Sequence, residues 1–258
     1  MVIDQMNPFL YKAAVKGNVE DYHEALRQMP EEEARRRQVT PKGNTVLHVA
    51  AIHGHKHLVE EILKEVEDDD AVMSLLFAKN NRNQSVLHCA AEKGYSRRCE
   101  GHGFAQGRAN GVFEGGKVIG WRGSEFEYPA NDDGETPIYI AAELQFHDCL
   151  VEMLNTCKKP TYDGPLGRNA LHAAIISGLG NILIKVKSTQ EFISLEYTQS
   201  LLEKNICLCK EIDKSGWTPL HYAIKIENDK AAHMILERKT SAAYICGGTV
   251  MSGQQHST

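Results

Sequence analysis

The stretch Gly216-Trp217-Thr218-Pro219-Leu220-His221-Tyr222-Ala223 decides the reading of this chain, because it recurs. Gly43-Asn44-Thr45-Val46-Leu47-His48-Val49-Ala50-Ala51 and Asn83-Gln84-Ser85-Val86-Leu87-His88-Cys89-Ala90-Ala91 come before it. Gly134-Glu135-Thr136-Pro137-Ile138-Tyr139-Ile140-Ala141-Ala142 and Gly167-Arg168-Asn169-Ala170-Leu171-His172-Ala173-Ala174 follow the same plan. A degenerate copy, Asn7-Pro8-Phe9-Leu10-Tyr11-Lys12-Ala13-Ala14, opens the chain. Each copy reads as a short helix entered from a turn. Thr45, Ser85, Thr136 and Thr218 stand where a hydroxyl can accept from the unpaired amides of a first turn. Pro137 and Pro219 follow at the first helical position, where a missing N–H costs nothing. Gly17, Gly54 and Gly94 close three copies in a conformation that a side chain resists.

A second helix follows most copies. Val19, Tyr22 and Leu26 fall on one face, as do Leu58, Val59, Ile62, Leu63 and Val66. Phe146, Cys149, Leu150, Met153 and Leu154 repeat the spacing of three and four, and so do Ala231, Met234 and Ile235. Such a helix pair has one apolar side and is stable only when stacked on neighbours. The pattern predicts an all-α solenoid of about six helix pairs joined by short turns.

The Thr-Pro-Leu-His box with its Ala-Ala pair and closing glycine resembles the ankyrin repeat, closely in the last copy and recognisably in four others. Within that superfamily, the run from Gly216 to Tyr222 followed by Ser241-Ala242-Ala243-Tyr244-Ile245 looks like the plant ankyrin-repeat membrane proteins of the accelerated-cell-death type. Those proteins carry a cytosolic array, then a C-terminal membrane domain, and are linked to defence signalling. No such domain follows here before Thr258.

The period is uneven. From His48 to His88 is 40 residues, from His88 to Tyr139 51, to His172 33 and to His221 49. The interval of 51 holds Ser96 to Ala130, which lacks apolar periodicity and has eight glycines between Gly101 and Gly123. The expected division is three N-terminal repeats over 1–95, a glycine-rich insertion over 96–130, three C-terminal repeats over 131–242 and a tail over 243–258. A further insertion of about 16 residues, near 180–196, precedes a helix at Leu201-Leu202-Glu203-Lys204. Both insertions read as spliced-in or translated non-coding sequence. The first should be mobile and protease-sensitive, and should let the two sets of repeats unfold separately.

The chain has 258 residues, 42% of them hydrophobic and 24% charged, with a net charge of −5. That balance gives no pull toward nucleic acid. Ile138 to Ala142 and Ala242 to Cys246, the longest apolar runs, fall far short of the roughly 18 residues that cross a bilayer. Met1-Val2-Ile3-Asp4-Gln5 has neither the basic start nor the apolar core of a secretory signal. Seven scattered cysteines fit a reduced chain better than a disulfide framework. The expectation is a cytoplasmic protein, or one at the cytosolic face of a membrane if the family architecture holds.

Candidate chemistry is thin. Gly111-Val112-Phe113-Glu114-Gly115-Gly116-Lys117 matches part of a phosphate-binding loop, but Val118 replaces the hydroxyl that holds magnesium, and no strand or helix flanks it. Nucleotide binding through it is the remotest reading. His53-Gly54-His55-Lys56-His57 lacks a second pair of ligands, as does Cys207-Leu208-Cys209, so no metal or cofactor is expected. The two cysteines read as buried or half-buried thiols. His48, His88, His172 and His221 have no nucleophile in a recognisable motif beside them; the resemblance makes them hydrogen-bond bridges between neighbouring turns. Glu31-Glu32-Glu33-Ala34-Arg35-Arg36-Arg37 reads as a solvated helical connector, and Glu65 to Asp70 as a solvated loop.

What remains is protein binding. The resemblance places the turns and first helices on a concave face, which makes Lys42, Asn44, Asn81, Arg82, Gln84, Asp133, Glu135, Arg168, Lys214 and Trp217 the candidate partner-binding residues. Trp217 stands out as a large rigid apolar surface, although it could equally pack on the adjacent turn. The function expected is a non-catalytic interaction module in plant defence or stress signalling. The alternative is a soluble, truncated or mis-spliced fragment of a membrane-anchored signalling protein.

Overall fold

The computed structural model describes residues 5–29, 38–66, 69–93, 127–177 and 190–245. These divide into two compact units, residues 1–162 and residues 163–258. The first holds α1 (Pro8–Lys16), α2 (Val19–Arg27), α3 (Val46–His53), α4 (Lys56–Lys64), α5 (Asp69–Leu76), α6 (Val86–Lys93), α7 (Pro137–Glu143) and α8 (His147–Thr156). The second holds α9 (Ala170–Ser177), α10 (Gln190–Lys204), α11 (Pro219–Lys225) and α12 (Asp229–Arg238), with 3-10 turns at Pro165–Gly167, Ile206–Lys210 and Thr240–Tyr244. Among the described residues, β pairing is limited to two isolated bridges, Gln5 with Val39 and Asp163 with Asn169. The fold is all-α.

Each first helix starts as its sequence dictates. The Thr45, Thr136 and Thr218 hydroxyls accept from the amides of His48, Tyr139 and His221, three residues on. Behind the caps, Leu47, Leu87, Ile138, Leu171 and Leu220 are at most 4% exposed, and Ala50, Ala51, Ala91, Ala141 and Ala142 are buried. Burying one such leucine stabilises by about 1.5–3 kcal/mol. Of the second-helix residues, Leu58, Val59, Ile62, Leu63, Cys149, Leu150, Met153, Leu154, Ala231 and Ile235 are buried. Val19, Leu26 and Val66 are half-buried, and Ala25 fills the site between helices that Leu26 was expected to fill.

Neighbouring repeats are tied by the box histidine. Its Nδ1 faces its own cap: Thr45 N–H donates to it at 3.3 Å, Ser85 N–H at 3.2 Å and Asn169 N–H at 3.2 Å. Its Nε2 reaches the next turn, from His48 to the Gln84 carbonyl at 3.1 Å, from His88 to that of Glu135 at 3.1 Å and from His172 to that of Trp217 at 3.0 Å. A carbonyl only accepts, so Nε2 carries the proton; Nδ1, facing an N–H, must be bare. Backbone bonds run alongside, from Asn81 N to Lys42 O, Asp132 N to Arg82 O and Lys214 N to Leu166 O. Burial lowers the pKa of all three histidines, those of His88 and His172 to about 4.

Four expectations change. Asp69 and Asp70, placed in a solvated loop, instead open α5, whose Val72 and Leu76 are buried. This additional helix accounts for the 40-residue interval. Residues 190–196, assigned to an insertion, are the first turns of α10, which starts at Gln190. Tyr128, within the expected 96–130 insertion, is 3% exposed and stacks on Phe77 at 5.0 Å. Thr161 Oγ1 donates to its carbonyl at 2.6 Å. Finally, the repeats before Tyr95 and the one after Asn131 are not decoupled: His88, Arg82 and the Asp132 amide all bridge them, and the units divide after Tyr162 instead. The glycine-rich residues 94–126, the 178–189 stretch, the arginine run 35–37 and the tail beyond 245 lie outside the described residues.

Gly17 and Gly54 end α1 and α3 at φ 69° and 76°. At the same offset, Gln145 and Glu227 take φ 59° and 57° with a side chain attached. Gly17→Ala would strain the backbone and drive its Cβ into the His55 ring, so stability should fall by about 1–2 kcal/mol or more. Glu227→Gly, at an exposed position, should raise it by about 0.5–1 kcal/mol. Urea melts followed by circular dichroism read both.

The buried histidines set a pH dependence. Below the ordinary histidine value of 6.5 the unfolded chain binds protons that folded His88 and His172 refuse until about pH 4. Their contribution should therefore be constant above pH 6.5 and fall between pH 6.5 and 4, by about 3 kcal/mol for each. Urea melts at pH 7, 5.5 and 4.5 test this; a His172→Leu variant should lose part of the slope.

Candidate functional site

In each unit, the turns that precede the first helices carry the candidate residues. Three of them are built around one polar residue five positions before the cap position. Asn80 Oδ1 accepts from the amides of Arg82 and Gln84, Asn131 Oδ1 from Asp133 and Glu135, and Asp213 Oδ1 from Ser215 and Trp217. Gly43, Asn83, Gly134, Gly167 and Gly216 take positive φ at the bend, where Asn is the side chain that tolerates it best.

In the first unit the candidate residues are woven together. Asn44 is 8% and Gln84 3% exposed. Asn80 Nδ2 donates to both, at 2.9 and 3.0 Å. These two are corrected: the turn folds their side chains inward, where they present nothing to a partner. Lys42 and Asn81 are exposed, Asn81 donating to the Pro41 carbonyl at 3.1 Å. Arg82 is exposed and pairs with Asp133, with Glu92 at 3.9 Å. Glu92 also accepts from Gln84 Nε2, yet burial outweighs these partners and raises its pKa. Glu135 is half-buried and accepts from Asn131 Nδ2 at 3.1 Å.

In the second unit the turns carry a different cluster. Asp213 is buried, with Tyr222 Oη donating to its Oδ2 at 2.6 Å. Burial pushes its carboxyl up, but the bonds from Tyr222, Trp217 N–H and Ser215 N–H outweigh this and hold the pKa below the ordinary range. Arg168 donates to Tyr222 Oη at 3.1 Å and lies 5.3 Å above that ring. Trp217 is half-buried, 5.2 Å from the Tyr222 ring and 6.2 Å from His221, and the Lys225 ammonium sits 4.5 Å from the centre of its ring. Lys214 is exposed on the neighbouring turn. Leu166, 56% exposed at φ 61°, tips the turn of the repeat before.

Sequence reasoning missed Leu166, Tyr222 and Lys225. Leu166 stands in register with Lys42, Arg82 and Asp133, so aligning the turns on their glycines finds it. Tyr222 and Lys225 lie one helical turn apart on α11, on the side where Trp217 folds back. Of the metal candidates, His55 Nε2 meets the Val15 carbonyl at 2.7 Å and its ring stacks on His53. Among the described residues no group of three or more His, Cys, Asp or Glu could hold a metal ion. Cys209 is buried as expected, whereas Cys207 is exposed. The loop-like Gly111 to Lys117 falls outside the described residues.

Comparison with known proteins agrees with this architecture. Residues 10–100 match the family model of ankyrin repeats in three copies, and residues 215–245 match the single ankyrin repeat. Protein ACCELERATED CELL DEATH 6 of Arabidopsis thaliana is 25% identical over 238 residues, 79% of this chain and 34% of that protein. The ankyrin repeat domain-containing protein SAT10 of Stachybotrys chartarum is 27% identical over 106 residues, 41% of this chain and 5% of its own length. The chain thus spans about a third or less of these relatives. An ankyrin repeat domain from Acinetobacter baumannii AYE superposes with a TM-score of 0.60 at 21% identity, covering 89% of this chain and 96% of its own. The ankyrin repeat domain of Bcl-3, of the IkappaB family, gives 0.61 at 16%, covering 92% and 88%. With its repeated box, its stacked helix pairs and its histidine-bridged turns, this chain is an ankyrin-repeat protein.

Proposed function

We propose that the chain is a non-catalytic module that holds a partner protein on its turns and first helices, acting in plant defence or stress signalling. The likeness to the Arabidopsis protein supports the pathway. The observation that carries the binding reading is Trp217. Its ring is held between Tyr222 and Lys225 yet remains half-exposed, so a rigid apolar surface stands ready at little entropic cost. Lys42, Asn81, Arg82, Asp133, Glu135, Arg168 and Lys214 are the other exposed or half-exposed turn residues of this surface. The module works in the cytoplasm or at the cytosolic face of a membrane; among the described residues no helix is long and apolar enough to cross one. The third of the Arabidopsis protein that the chain spans favours a second reading, as the soluble part of a membrane-anchored signalling protein. Fractionating plant tissue with an antibody to residues 5–29 separates the two readings, because a band of higher mass in the membrane fraction favours the second.

Affinity capture from plant extract, quantified against Trp217→Ala, tests the binding reading. An anchoring tryptophan should cost about 2 kcal/mol of binding, roughly 30-fold in affinity. The melting temperature should change little, since the indole lies at the surface rather than in the core between helices. If Trp217→Ala, Lys214→Ala, Arg168→Ala and Arg82→Ala all leave capture intact, the turn surface is not where partners bind.

A further inference from the structure

The charges on the two sets of turns are balanced differently. In the first unit Arg82 lies between Asp133 and Glu92, both within ion-pair distance. In the second, Asp213 is the buried carboxylate of the turn cluster, and it is spent, while the exposed Glu211 accepts from Asn169 Nδ2 at 2.6 Å. Its side chain is 1% exposed, one oxygen accepts two backbone amides and the other meets Tyr222, with Arg168 Nε 3.7 Å away. Asp213 and Arg168 therefore offset each other internally. Lys214 and Lys225 are both exposed, and among the described residues neither has a carboxylate within 4.0 Å. Arg27, Lys64 and Arg238 do have one, in Glu24, Glu61 and Glu203, whereas Lys42 and Lys210, among the described residues, do not; what sets this place apart is the half-exposed Trp217 ring against Lys225. The half-exposed Trp217 ring lies against Lys225 and belongs to the same turn as Lys214, and Leu166 stands exposed on the turn that bonds the Lys214 amide.

Deepening the binding function proposed above, we infer that the turns of Leu166 to Arg168 and Lys214 to Trp217, with Lys225, take an acidic segment of a partner protein. The partner's carboxylates answer the lysines, and an apolar side chain lies on Trp217 and Leu166. Carboxylates pair with these two cations because no carboxylate of the described fold lies within 4.0 Å of either, Lys225 resting only on the Trp217 ring. A nucleic acid fits less well, because it draws its affinity from many phosphate contacts, and this patch offers two free cations on a chain of net charge −5.

The test uses the full chain and three probes: a short Glu-Leu peptide, the same peptide with Gln for Glu, and a single-stranded oligonucleotide. Binding is read by calorimetry. The Glu-Leu peptide should bind, weaken as salt rises, and lose about tenfold or more in affinity in the Lys214→Glu/Lys225→Glu double variant. Lys64→Glu, at the exposed end of α4 and away from the turns, should leave binding unchanged. Circular dichroism melts should show both variants folded, since all three lysines are exposed. Equal binding of the Gln peptide, tighter binding of the oligonucleotide, or indifference to the double reversal would each overturn the inference. If Lys64→Glu alone abolishes peptide binding, the chain is still a binding module but its site lies away from these turns. If the plant-extract partner is likewise lost in Trp217→Ala but insensitive to both reversals, the module binds through apolar contact and the acidic-segment assignment fails on its own.

Discussion

At three joints, those of His48, His88 and His172, the two nitrogens of one imidazole hold a repeat to the next. Nδ1 takes an N–H of its own helix cap and Nε2–H gives to a carbonyl in the following turn, so one side chain closes a helix end and joins two repeats. A helix pair of this size cannot bury enough apolar surface to stand alone. The bridging bond therefore does more than a net contribution of about 1 kcal/mol indicates, because it also fixes the register in which the Ala-Ala faces meet. Because the ring is buried and must remain neutral to serve both partners, acid attacks the stack at its joints. No other side-chain type supplies a donor and an acceptor at this separation on a rigid ring.

The parts governed by this bond were legible in the residues. Thr45, Ser85 and Thr218 announced the caps and the histidines announced the joints, because each is a local chemical requirement repeated at a fixed spacing. What stayed hidden depended on tertiary burial. Asp69 and Asp70 look solvated, and they start a helix because Val72 and Leu76 further on find an apolar site. Tyr128 sits at the end of a glycine-rich run with no periodicity, and Phe77 and Thr161, both distant in sequence, give it a place. Gln145 and Glu227 occupy the left-handed position without glycine's help, so the sequence carries no sign of the bend.

The candidate surface shows the same division. Position within the turn fixed the backbone of all ten candidates, but it does not fix which way a side chain goes. Asn44 and Gln84 turn inward because Asn80 reaches both, a contact between residues 36 and 4 apart. Arg168 and Trp217 occupy the same place in their own turns and remain at the surface, since a guanidinium and an indole are too large for that inner site and instead lie against Tyr222. Interior residues of the repeat are thus spent on stacking and bracing the turns. On the binding function proposed above, specificity falls to the few large side chains that stay at the surface.

The last repeat measures what a neighbour supplies. His221 has the same inward half as the others, with Thr218 Oγ1 2.7 Å from its Nδ1, but among the described residues no carbonyl meets its Nε2. Three residues on, Ile224 is 63% exposed, whereas Ala51, Ala91 and Ile175, at the same place in earlier repeats, are at most 1% exposed. The motif and the backbone are alike, so the difference is the contribution of the following turn and helix. It amounts to one hydrogen bond of about 1 kcal/mol and, at an isoleucine, about 1.5–3 kcal/mol of apolar burial. Where the two occur together, as at His172 and Ile175, they are of the size that lets individually unstable helix pairs fold in a row.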